Sequence, residues 1–515
     1  MTRITIGHGR TRPNSRRRRL RTGRGPVSRA LPRLGESALP LLPPSVERPA
    51  YDRSAMRLGV VHFGPGAFHR AHQASVFDRM LAKDPRFGVC GVSLRSDEVR
   101  AALEPQDGLY ALFEQEAEPS VRVIGSIARL LTAPRSPDAV RRVVADPGVR
   151  YVTVTVTEKG YGLTPEGDLD LAVPAIRRDL QRPAAPDSLI GWLAEGLRLR
   201  RAAGERPFTT LSCDNLSDNG RRLRRGVLQF VDALGERDLH AWIEGEARFP
   251  CTMVDSITPA TGDALREHAR AVLGLEDAWP VQRERFTQWV IEDVLPEDGP
   301  AFADAGVVLA SDVGLFERAK LRLLNGAHSA LAYLGLLRGK VLVSEAMADP
   351  DLAGFVEAMM RREIAPSLAP APSLDLDAYI DAVLRRFRNP AIEHRLGQIA
   401  WDGSQKLPFR LLETIADALA AGRPFGRLAL AVAGWMAFVQ DRARRGEPIT
   451  DPLADRLAGI GRSCCGDAAH DVGLFLDLEA VFPRPMASDA RLRAALEKVY
   501  GQLSDRVSAQ APPAA

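Results

Sequence analysis

The hydrophobic pattern divides the chain into two parts with different predicted secondary structure. The first part begins with two apolar, strand-like runs, "RLGVVHFG" from Arg57 and "FGVCGVSL" ending at Leu94. Four further strand candidates follow in chain order, "VRVIGSI", "VRYVTVTVTEKGY", "FTTLSCDN" and "FPCTMVDSIT". Helical segments lie between them, and this alternation is typical of a parallel, doubly wound sheet. From about residue 303 the apolar spacing becomes mostly helical, as in "LAGFVEAMMRREIA".

The change of pattern predicts two folded domains behind a basic extension. We expect an α/β, Rossmann-type NAD-binding domain over residues 49–300 and a mostly α-helical domain over residues 301–508. Residues 1–35 contain eleven arginines and no acidic residue, so subtracting them from the net charge of +4 leaves −7 for the remainder. Such a stretch could bind nucleic acid or direct transport, but we expect a disordered extension over residues 1–48. No apolar h-region follows the arginines, which argues against a secretory signal.

The composition is that of a globular protein without disulfide bonds. The 515 residues are 45% hydrophobic and 26% charged, values that suit two or three domains. The five cysteines are odd in number and lack CxxC spacing. Neither a disulfide framework nor a structural zinc site is therefore expected, and a cytoplasmic location fits. No apolar run approaches the roughly 18 residues that span a bilayer, so we expect no membrane or nucleic-acid partner, and a monomer or small homo-oligomer.

A glycine-containing turn after the first strand predicts a dinucleotide site. In "GVVHFGPGAF" a strand runs into Gly64 and Gly66 and then into a helix. Glycines there permit a tight turn and the close approach of a pyrophosphate, which the helix N-terminus would bind. His69 occupies the place of the third glycine of GxGxxG, and outside this context two glycines would indicate only a turn. His69 and His72 have the spacing of metal ligands, but no further ligand follows, so cofactor contact or helix packing is favoured.

Acidic residues at the end of the second strand bear on the choice of cofactor. In "SLRSDEVR", Asp97 and Glu98 are both placed to accept hydrogen bonds from the adenosine ribose and to repel a 2′-phosphate. NAD is therefore favoured over NADP, although Arg95 precedes them. Both carboxylates are also consistent with a solvated helix start, where acidic residues suit the helix dipole.

A largely apolar helix, "KLRLLNGAHSALAYLG", carries three polar residues that such a helix normally avoids. At about 100° per residue, Asn325 lies at about 140° and His328 at about 80° from Lys320, and Glu317 lies near 60°. All four share one arc, which the pattern directs towards the interior. A buried lysine with a lowered pKa can act as a general base, an amide can donate to an oxyanion, and a histidine can orient a hydroxyl. A satisfied polar network between domains is equally consistent with the periodicity.

Three further segments place polar residues where they could join this helix. "SCDNLSDNG" brings Asp214 and Asn215 just behind a strand, at the carboxyl end where α/β sheets bind ligands. "FPCTMVDSIT" contributes Asp255, a candidate partner for a lysine, and "WDGSQKLP" contributes Lys406 beside a Gly-Ser turn. Taken singly, each fits a turn or a surface charge better.

Together these segments resemble the polyol-specific long-chain dehydrogenase family over roughly residues 50–500. The resemblance is carried by "GPGAFHRAHQA", "TEKGY", "SCDN", "FPCTMVD", "KLRLLNGAHSALAYLG" and "DGSQKLP". It implies a Rossmann-type domain, a mostly helical domain, an active site between them, NAD as cofactor and no metal.

The resemblance also implies a role for each polar residue. Lys320 would be the general acid/base, and Asn215 and Asn325 would polarise the substrate carbonyl. The remaining assignments are His328 as a substrate ligand, Asp255 as the partner of the lysine, Glu317 as a proton-relay gate, Lys406 as a substrate contact, and Gly64, Gly66, Ala67, Phe68, His69, Asp97, Glu98 and Glu158 as the cofactor site.

Two substrate classes remain open within the family, and they differ by one carboxylate. The segment "NPAIEHRLGQIAWDGSQKLP" resembles the fructuronate reductase form, with Gln398 where the mannitol enzymes have an arginine. His394 and Arg395 just upstream are then candidates to bind a carboxylate. The favoured expectation is an NAD-dependent enzyme that interconverts D-mannonate and D-fructuronate, and a mannitol 2-dehydrogenase or another polyol dehydrogenase is the alternative. A catalytically silent sugar-acid sensor is disfavoured because the lysine, asparagine and histidine of the polar helix are intact.

Overall fold

The computed structural model describes residues 31–116, 118–370 and 374–510, in which all named strands precede residue 311. The strands are β1 Val46–Glu47, β2 Leu58–Phe63, β3 Gly88–Ser93, β4 Tyr110–Gln115, β5 Ser120–Ile124, β6 Ile127–Thr132, β7 Tyr151–Val154, β8 Thr209–Ser212, β9 Thr252–Asp255, β10 Val281–Glu284, β11 Gln288–Glu292 and β12 Val308–Ala310. The helices among them are α1 Ala67–Ala71, α2 Gln73–Leu81, α3 Glu98–Leu103, α4 Pro137–Ala145, α5 Pro174–Gln181, α6 Leu189–Ala202, α7 Asn219–Ala233, α8 Arg237–Glu246 and α9 Asp263–Leu273.

The chain after β12 is mostly helical. Its α-helices are α10 Val313–Ala319, α11 Gly326–Leu337, α12 Val343–Ala348, α13 Pro350–Met359, α14 Leu376–Arg388, α15 Leu396–Ile399, α16 Gly403–Leu407, α17 Glu413–Ala420, α18 Gly426–Arg445, α19 Ala454–Ser463, α20 Ala468–Leu476, α21 Arg484–Ala487 and α22 Ala490–Gln510. The predicted fold class, an α/β domain followed by a helical one, is confirmed. Within the described residues, no helix combines the length and the apolarity needed to cross a bilayer.

The central sheet has the strand order of a dinucleotide-binding fold. Its five parallel strands lie in the order β6-β3-β2-β7-β8. Numbered along the chain within this sheet the order is 3-2-1-4-5, as in Rossmann-type folds. The order reverses between β2 and β7, where Phe63 lies opposite Val154. Ligands bind at the carboxyl ends of the strands beside such a switch point.

One predicted strand belongs to a different sheet. The sequence predicts "VRVIGSI" as the third strand of the parallel sheet, but β5 in this segment pairs antiparallel with β4. The third parallel strand is β6, whose apolar run is interrupted by the exposed Ala128 and Arg129. Two smaller sheets, β1-β5-β4-β10 and β12-β11-β9, complete the first domain. Apolar runs mark strands but do not say which strand pairs with which, and this is the reason for the error.

The basic extension is not disordered throughout. Residues 1–30 lie outside the described part, so the prediction is not tested there. Residues 31–48, however, contain a 3₁₀-helix, Glu36–Leu41, and strand β1. Four apolar side chains of this stretch are buried beside helix α9: Leu34, Ala38, Leu42 and Val46. The prediction of disorder is therefore wrong for residues 31–48, because their proline-rich composition hid an apolar residue at every fourth position.

The helical domain is built around α11 and α18. Residues 326–335 of α11 are buried without a break, and α18 crosses α11 and is itself covered by α19 and α22. A helix that is apolar on all sides belongs in the interior of a large domain. The polar helix predicted from the sequence is thus the central helix of this domain.

The predicted continuous α-helix from Lys320 is in fact a π-helical segment, Lys320–Asn325, followed by α11. The described part of the domain has two more π-helical segments, Met360–Ile364 and Pro408–Leu412. Such segments close i→i+5 hydrogen bonds and are frequent at functional sites. The first and third are neighbours, and a Cβ on Gly326 would lie 2.8 Å from the Arg410 carbonyl oxygen. Glycine is therefore needed where the two segments meet.

Candidate active site

The turn after β2 has the geometry of a phosphate-binding loop. Gly64 has a φ of +88°, and a Cβ there would lie 2.0 Å from the Thr155 carbonyl oxygen, so glycine is required. At Gly66, in contrast, a Cβ would meet nothing closer than the Gly64 carbonyl oxygen at 3.8 Å. The protein thus leaves open the space that a pyrophosphate would fill. Ala67 and Phe68 begin α1 and direct backbone N–H groups towards that space.

His69 lies behind the turn rather than in it. Its ring stacks on that of His62 with the centroids 3.4 Å apart, and both rings are fully buried. Burial lowers the pKa of both rings, that of His62 to about 3, so both are neutral. Contact between the His69 side chain and a cofactor is therefore not supported, although its backbone N–H lies at the helix start. The His72 Nε2 donates to the Gln288 carbonyl oxygen at 3.0 Å, so the two histidines do not converge on one metal ion.

The structure separates the two acidic candidates after β3. Asp97 is engaged within the protein, because Nε and Nη2 of Arg100 each bind one of its oxygens at 2.7 Å. Thr132 and Arg135 also contact it. Hydrogen bonds from Arg100 and Thr132 hold the pKa of Asp97 far below its usual range. Glu98, the first residue of α3, is exposed and has no ion pair among the described residues, so its carboxylate is available to a ribose.

A half-buried carboxylate fixes the loop that follows β7. Asp214 accepts hydrogen bonds from the N–H groups of Val156 at 2.9 Å and Thr157 at 3.2 Å, and from the Tyr161 hydroxyl at 2.7 Å. These bonds hold Thr157 at a φ of +68°, which is strained for a β-branched residue. Glu158 follows and is exposed. Asp214 therefore supports the loop that presents Glu158 at the carboxyl edge of the sheet.

Lys320 lies where the two domains meet. Its Nζ donates to the Asn215 Oδ1 and to the Val254 carbonyl oxygen, each at 2.6 Å. An ammonium group has three donors, so one remains for a substrate oxygen. Burial lowers the pKa of Lys320, and the nearby Asp255 carboxylate offsets this only in part. The lysine can therefore exchange a proton at lower pH than an exposed lysine does.

Two amides flank this lysine. Asn215 uses its Oδ1 to accept from Nζ, which leaves its Nδ2 to donate to another oxygen. Asn325 closes the π-helical segment, and the wider i→i+5 turn brings it closer to the face of Lys320 than an α-helix would. The Asn325 side chain makes no hydrogen bond within the described residues. Both amides can therefore donate to a carbonyl oxygen placed beside Nζ.

Asp255 pairs with an arginine rather than directly with the lysine. From Arg386 on α14, Nη1 and Nη2 bind the Asp255 carboxylate at 2.6 and 3.1 Å, and Nε and Nη2 bind Glu284 at 2.8 and 2.7 Å. We call these three residues the ion triad, and all three side chains are at most 6% exposed. Burial alone would raise the pKa of Asp255, but Arg386 and Lys320 outweigh it and lower that pKa. Asp255 thus stays charged and acts on Lys320 through space.

Sequence reasoning missed Arg386, although a signal was present. The residue lies three positions after Val383 and seven after Tyr379, both buried, so helical periodicity places it on the buried face of α14. The guanidinium also lies 4.2 Å from the centre of the Phe286 ring. A charge on an apolar helix face needs a partner, and this rule would have identified the residue.

Two further groups adjoin the lysine. Glu317 lies one helical turn before Lys320, and burial together with Asp218 raises its pKa to about 7. It can therefore exchange protons near neutrality, as a relay requires. The His328 ring is buried between Phe387 and His394, with centroids 4.3 and 4.8 Å away. Its Nε2 has no partner among the described residues, so it is available to a substrate hydroxyl.

The predicted substrate contacts differ in their placement. His394 packs against His328, as described, and burial lowers its pKa. Lys406 is half-buried at the end of α16, and its Nζ donates to the Ile399 carbonyl oxygen at 3.4 Å. Arg395 is exposed before α15, and no contact recorded for the described chain joins it to Lys320 or His328. A role for Arg395 in substrate binding therefore lacks structural support.

Both domains match the sequence profiles of one family. The mannitol dehydrogenase Rossmann domain matches residues 58–302, and the mannitol dehydrogenase C-terminal domain matches residues 312–503. The chain belongs to the mannitol dehydrogenase family. Membership confirms the resemblance inferred from the sequence motifs and the assignment as an oxidoreductase that acts on CH–OH groups.

Relatives in this family are similar along nearly the whole chain. D-mannonate oxidoreductase of Escherichia coli is 40% identical over 471 residues, which cover 90% of this chain and 96% of the relative. Mannitol 2-dehydrogenase of Aspergillus fumigatus is 38% identical over 461 residues, 87% of this chain and 91% of the relative. The ternary complex of Pseudomonas fluorescens mannitol 2-dehydrogenase with NAD and D-mannitol is 38% identical, with a TM-score of 0.77, and covers 93% of this chain and 98% of its own.

Proposed function

We propose that the chain is an NAD-dependent dehydrogenase that interconverts D-mannonate and D-fructuronate, with Lys320 as general acid/base. The observation that carries the proposal is the Lys320 ammonium, held by two acceptors at 2.6 Å with its third donor unused. The 40% identity to D-mannonate oxidoreductase supports the substrate. The NAD in the solved relative, together with the open space at Gly66, supports the cofactor.

The side chains around Lys320 can manage the proton in both directions. When bound, NAD accepts and NADH donates the hydride. In oxidation, neutral Lys320 takes the proton of the secondary hydroxyl, while Asn215 and Asn325 donate to the oxygen that becomes the carbonyl. In reduction, the ammonium returns its third proton to that oxygen. Each aligned donor of this kind is worth about 3 kcal/mol in the transition state.

Two residues near Lys320 complete the proton path and help to bind the substrate: Glu317 and His328. Glu317, whose pKa is raised to about 7, passes the proton between Lys320 and solvent. His328 donates or accepts through its unused Nε2 and so fixes a hydroxyl next to the reacting carbon.

Because the amides polarise the carbonyl, a metal ion is not needed for that role. Full activity after dialysis against EDTA is expected, and a loss restored by added Zn²⁺ would overturn metal independence.

The choice of NAD rests on Glu98. Its exposed carboxylate would bind the ribose and repel a 2′-phosphate, whereas Asp97 is engaged by Arg100. The variant Glu98→Ala should therefore lose preference for NADH over NADPH, by roughly tenfold. An unchanged ratio of kcat/KM for the two cofactors would assign the discrimination to another residue.

The substrate is tested by following NADH consumption with D-fructuronate and D-fructose in parallel. The expected result is a clear preference for D-fructuronate. Mannitol 2-dehydrogenase activity is the second candidate, supported by the solved relative with D-mannitol at 38% identity, and preference for D-fructose would establish it instead. Turnover of neither ketose would refute both candidates.

A further inference from the structure

The helical domain contains an arginine beside the candidate active site that has no carboxylate partner. Arg410 lies in the π-helical segment Pro408–Leu412 and is half-buried. Its Nη1 donates to the Ser329 hydroxyl at 3.2 Å and to the Asn325 carbonyl oxygen at 3.5 Å. Within the described residues no carboxylate oxygen lies within 4.0 Å of its guanidinium. By comparison, the buried Arg283 and Arg322 each have a carboxylate within 2.6 Å.

A second cation, Lys406, lies four residues earlier, on helix α16, which leads directly into the π-helical segment. Lys406 also has no carboxylate within 4.0 Å in the described part of the chain, and its long bond to the Ile399 carbonyl oxygen is the one hydrogen bond of its side chain there. Burial lowers the pKa of Lys406, the charge of Arg410 lowers it further, and the more distant carboxylates of Asp402 and Asp451 offset this only in part. Two adjacent, half-buried cations without a directly paired carboxylate among the described residues are unfavourable. An anion that entered between them would relieve both the repulsion and the desolvation.

The position of this pair fits the substrate rather than the cofactor. Arg410 touches Asn325 and Ser329, and Ser329 directly follows His328 on α11. Arg410 therefore lies beside the helix that carries the catalytic groups, close enough for its charge to lower the pKa of both Lys320 and His328. Arg410 is therefore a charged group available to the end of a substrate whose ketone lies at Lys320.

We propose that Arg410, next to the substrate contact Lys406 that the family resemblance implies, binds the carboxylate of a sugar-acid substrate and selects it over a neutral polyol. The choice of a sugar acid rests on the proposed function. A guanidinium presents paired N–H donors in the geometry of a carboxylate, which a neutral hydroxymethyl group cannot match. This site replaces Arg395, which the sequence suggested for the same role.

Steady-state kinetics with NADH separate selectivity from catalysis. The variant Arg410→Gln should lower kcat/KM for D-fructuronate by roughly ten- to hundredfold, mainly through KM, because it removes a charge-assisted contact. The activity with D-fructose should fall by much less, and Arg410→Lys should recover part of the loss. Arg395→Gln tests the competing assignment. An equal loss for both ketoses in Arg410→Gln, or a larger loss of D-fructuronate activity in Arg395→Gln, would overturn the proposal.

Binding measurements keep this proposal distinct from the proposed function. Isothermal titration of the enzyme–NAD complex with D-mannonate and with D-mannitol should show tighter binding of the acid, and Arg410→Gln should remove that difference. If the enzyme reduces only D-fructose yet keeps this difference, the proposed function fails and the carboxylate site stands. If D-mannonate binds no better than D-mannitol to the wild type, the site is refuted. The thermal midpoint of Arg410→Gln without substrate should not fall, since no ion pair is lost; a fall would indicate a structural role.

Discussion

The ion triad provides the sharpest test of how charge holds the two domains together. We expect the variant Arg386→Met to keep apolar packing against Phe286 while it removes four hydrogen bonds to Asp255 and Glu284. The two carboxylates would then remain buried without their shared cation. Removing one partner of a buried ion pair costs about 3–5 kcal/mol in the free energy of unfolding, which is a large part of the stability of an ordinary domain.

The loss of stability in Arg386→Met should become larger as the pH rises. In the wild type the pKa of Asp255 is lowered, so its contribution to stability is present above the unfolded pKa and is lost only as the pH falls through the lower folded value. Without Arg386, burial raises the pKa of Asp255, which Lys320 alone offsets only in part, and raises further the pKa of Glu284, which burial already raises in the wild type. A group with a raised folded pKa is tolerated when neutral and destabilises the fold as the pH rises through that value. The difference in the free energy of unfolding between Arg386→Met and the wild type should therefore be small near about pH 5 and large near about pH 8.

Thermal midpoints measured by circular dichroism at several pH values would test this expectation. The matched control is Arg361→Met, because Arg361 also bridges three carboxylates, Glu357, Asp377 and Asp381, but its side chain is 31% exposed. Surface ion pairs contribute at most about 1 kcal/mol each to the free energy of unfolding, so Arg361→Met should lose little stability relative to the wild type. A loss in Arg386→Met that does not vary with pH, or that equals the loss in the control, would refute the reasoning.

Four further predictions concern catalysis, the cofactor turn and the N-terminal segment. Lys320→Ala should lower turnover by roughly 10²–10⁴-fold while a fluorescence titration still shows NADH binding; loss of both would indicate a structural lysine. Glu317→Gln should remove the inflection near pH 7 from the pH–rate profile, since the pKa of Glu317 is about 7, and an unchanged profile would exclude the relay. Gly66→Ala should fold normally but bind NADH weakly, whereas Gly64→Ala should also be destabilised because its Cβ would lie 2.0 Å from a carbonyl oxygen; equal behaviour of the two would contradict the phosphate-loop assignment. A chain that starts at residue 49 should unfold at lower temperature than one that starts at residue 31, because it lacks four buried apolar side chains, and identical midpoints would show that residues 31–48 are dispensable.

The catalytic helix could be located from the sequence because polar residues are conspicuous in an apolar helix. Lys320, Asn325 and His328 stand out for that reason, since burial of such groups must have a purpose. Arg386 does not stand out, because Arg385 and Arg388 lie beside it, and Arg410 does not, because it follows the basic Lys406 by one helical turn. The partners of Arg386 are 131 and 102 residues away along the chain, and no local pattern reveals a pairing over that separation. Whether a cation is neutralised is decided by tertiary contacts alone.

The fold, like the site, could be predicted from the sequence only in part. The parallel strands β2, β3 and β7 appear as continuous apolar runs because both faces of the sheet are buried. Strand β6 does not appear as a continuous apolar run. The sheet to which β5 belongs is decided by its pairing with β4, which the composition of β5 does not reveal. The π-helical turn was also not predictable, and the segment with which Gly326 is in close contact lies far away along the chain.

The stacked imidazoles under the cofactor turn have a consequence for tolerance to acid. His62, His69 and His72 are all buried, and burial lowers their pKa values, so the folded protein keeps them neutral. In the unfolded chain each takes up a proton below about pH 6.5, which lowers the free energy of unfolding by about 1.4 kcal/mol per group and pH unit. Together they amount to about 4 kcal/mol for one unit of acidification. A modest fall in pH should therefore destabilise the fold around the nucleotide turn before carboxyl groups with ordinary pKa values begin to titrate. Glu317, whose pKa is about 7, titrates in the same range.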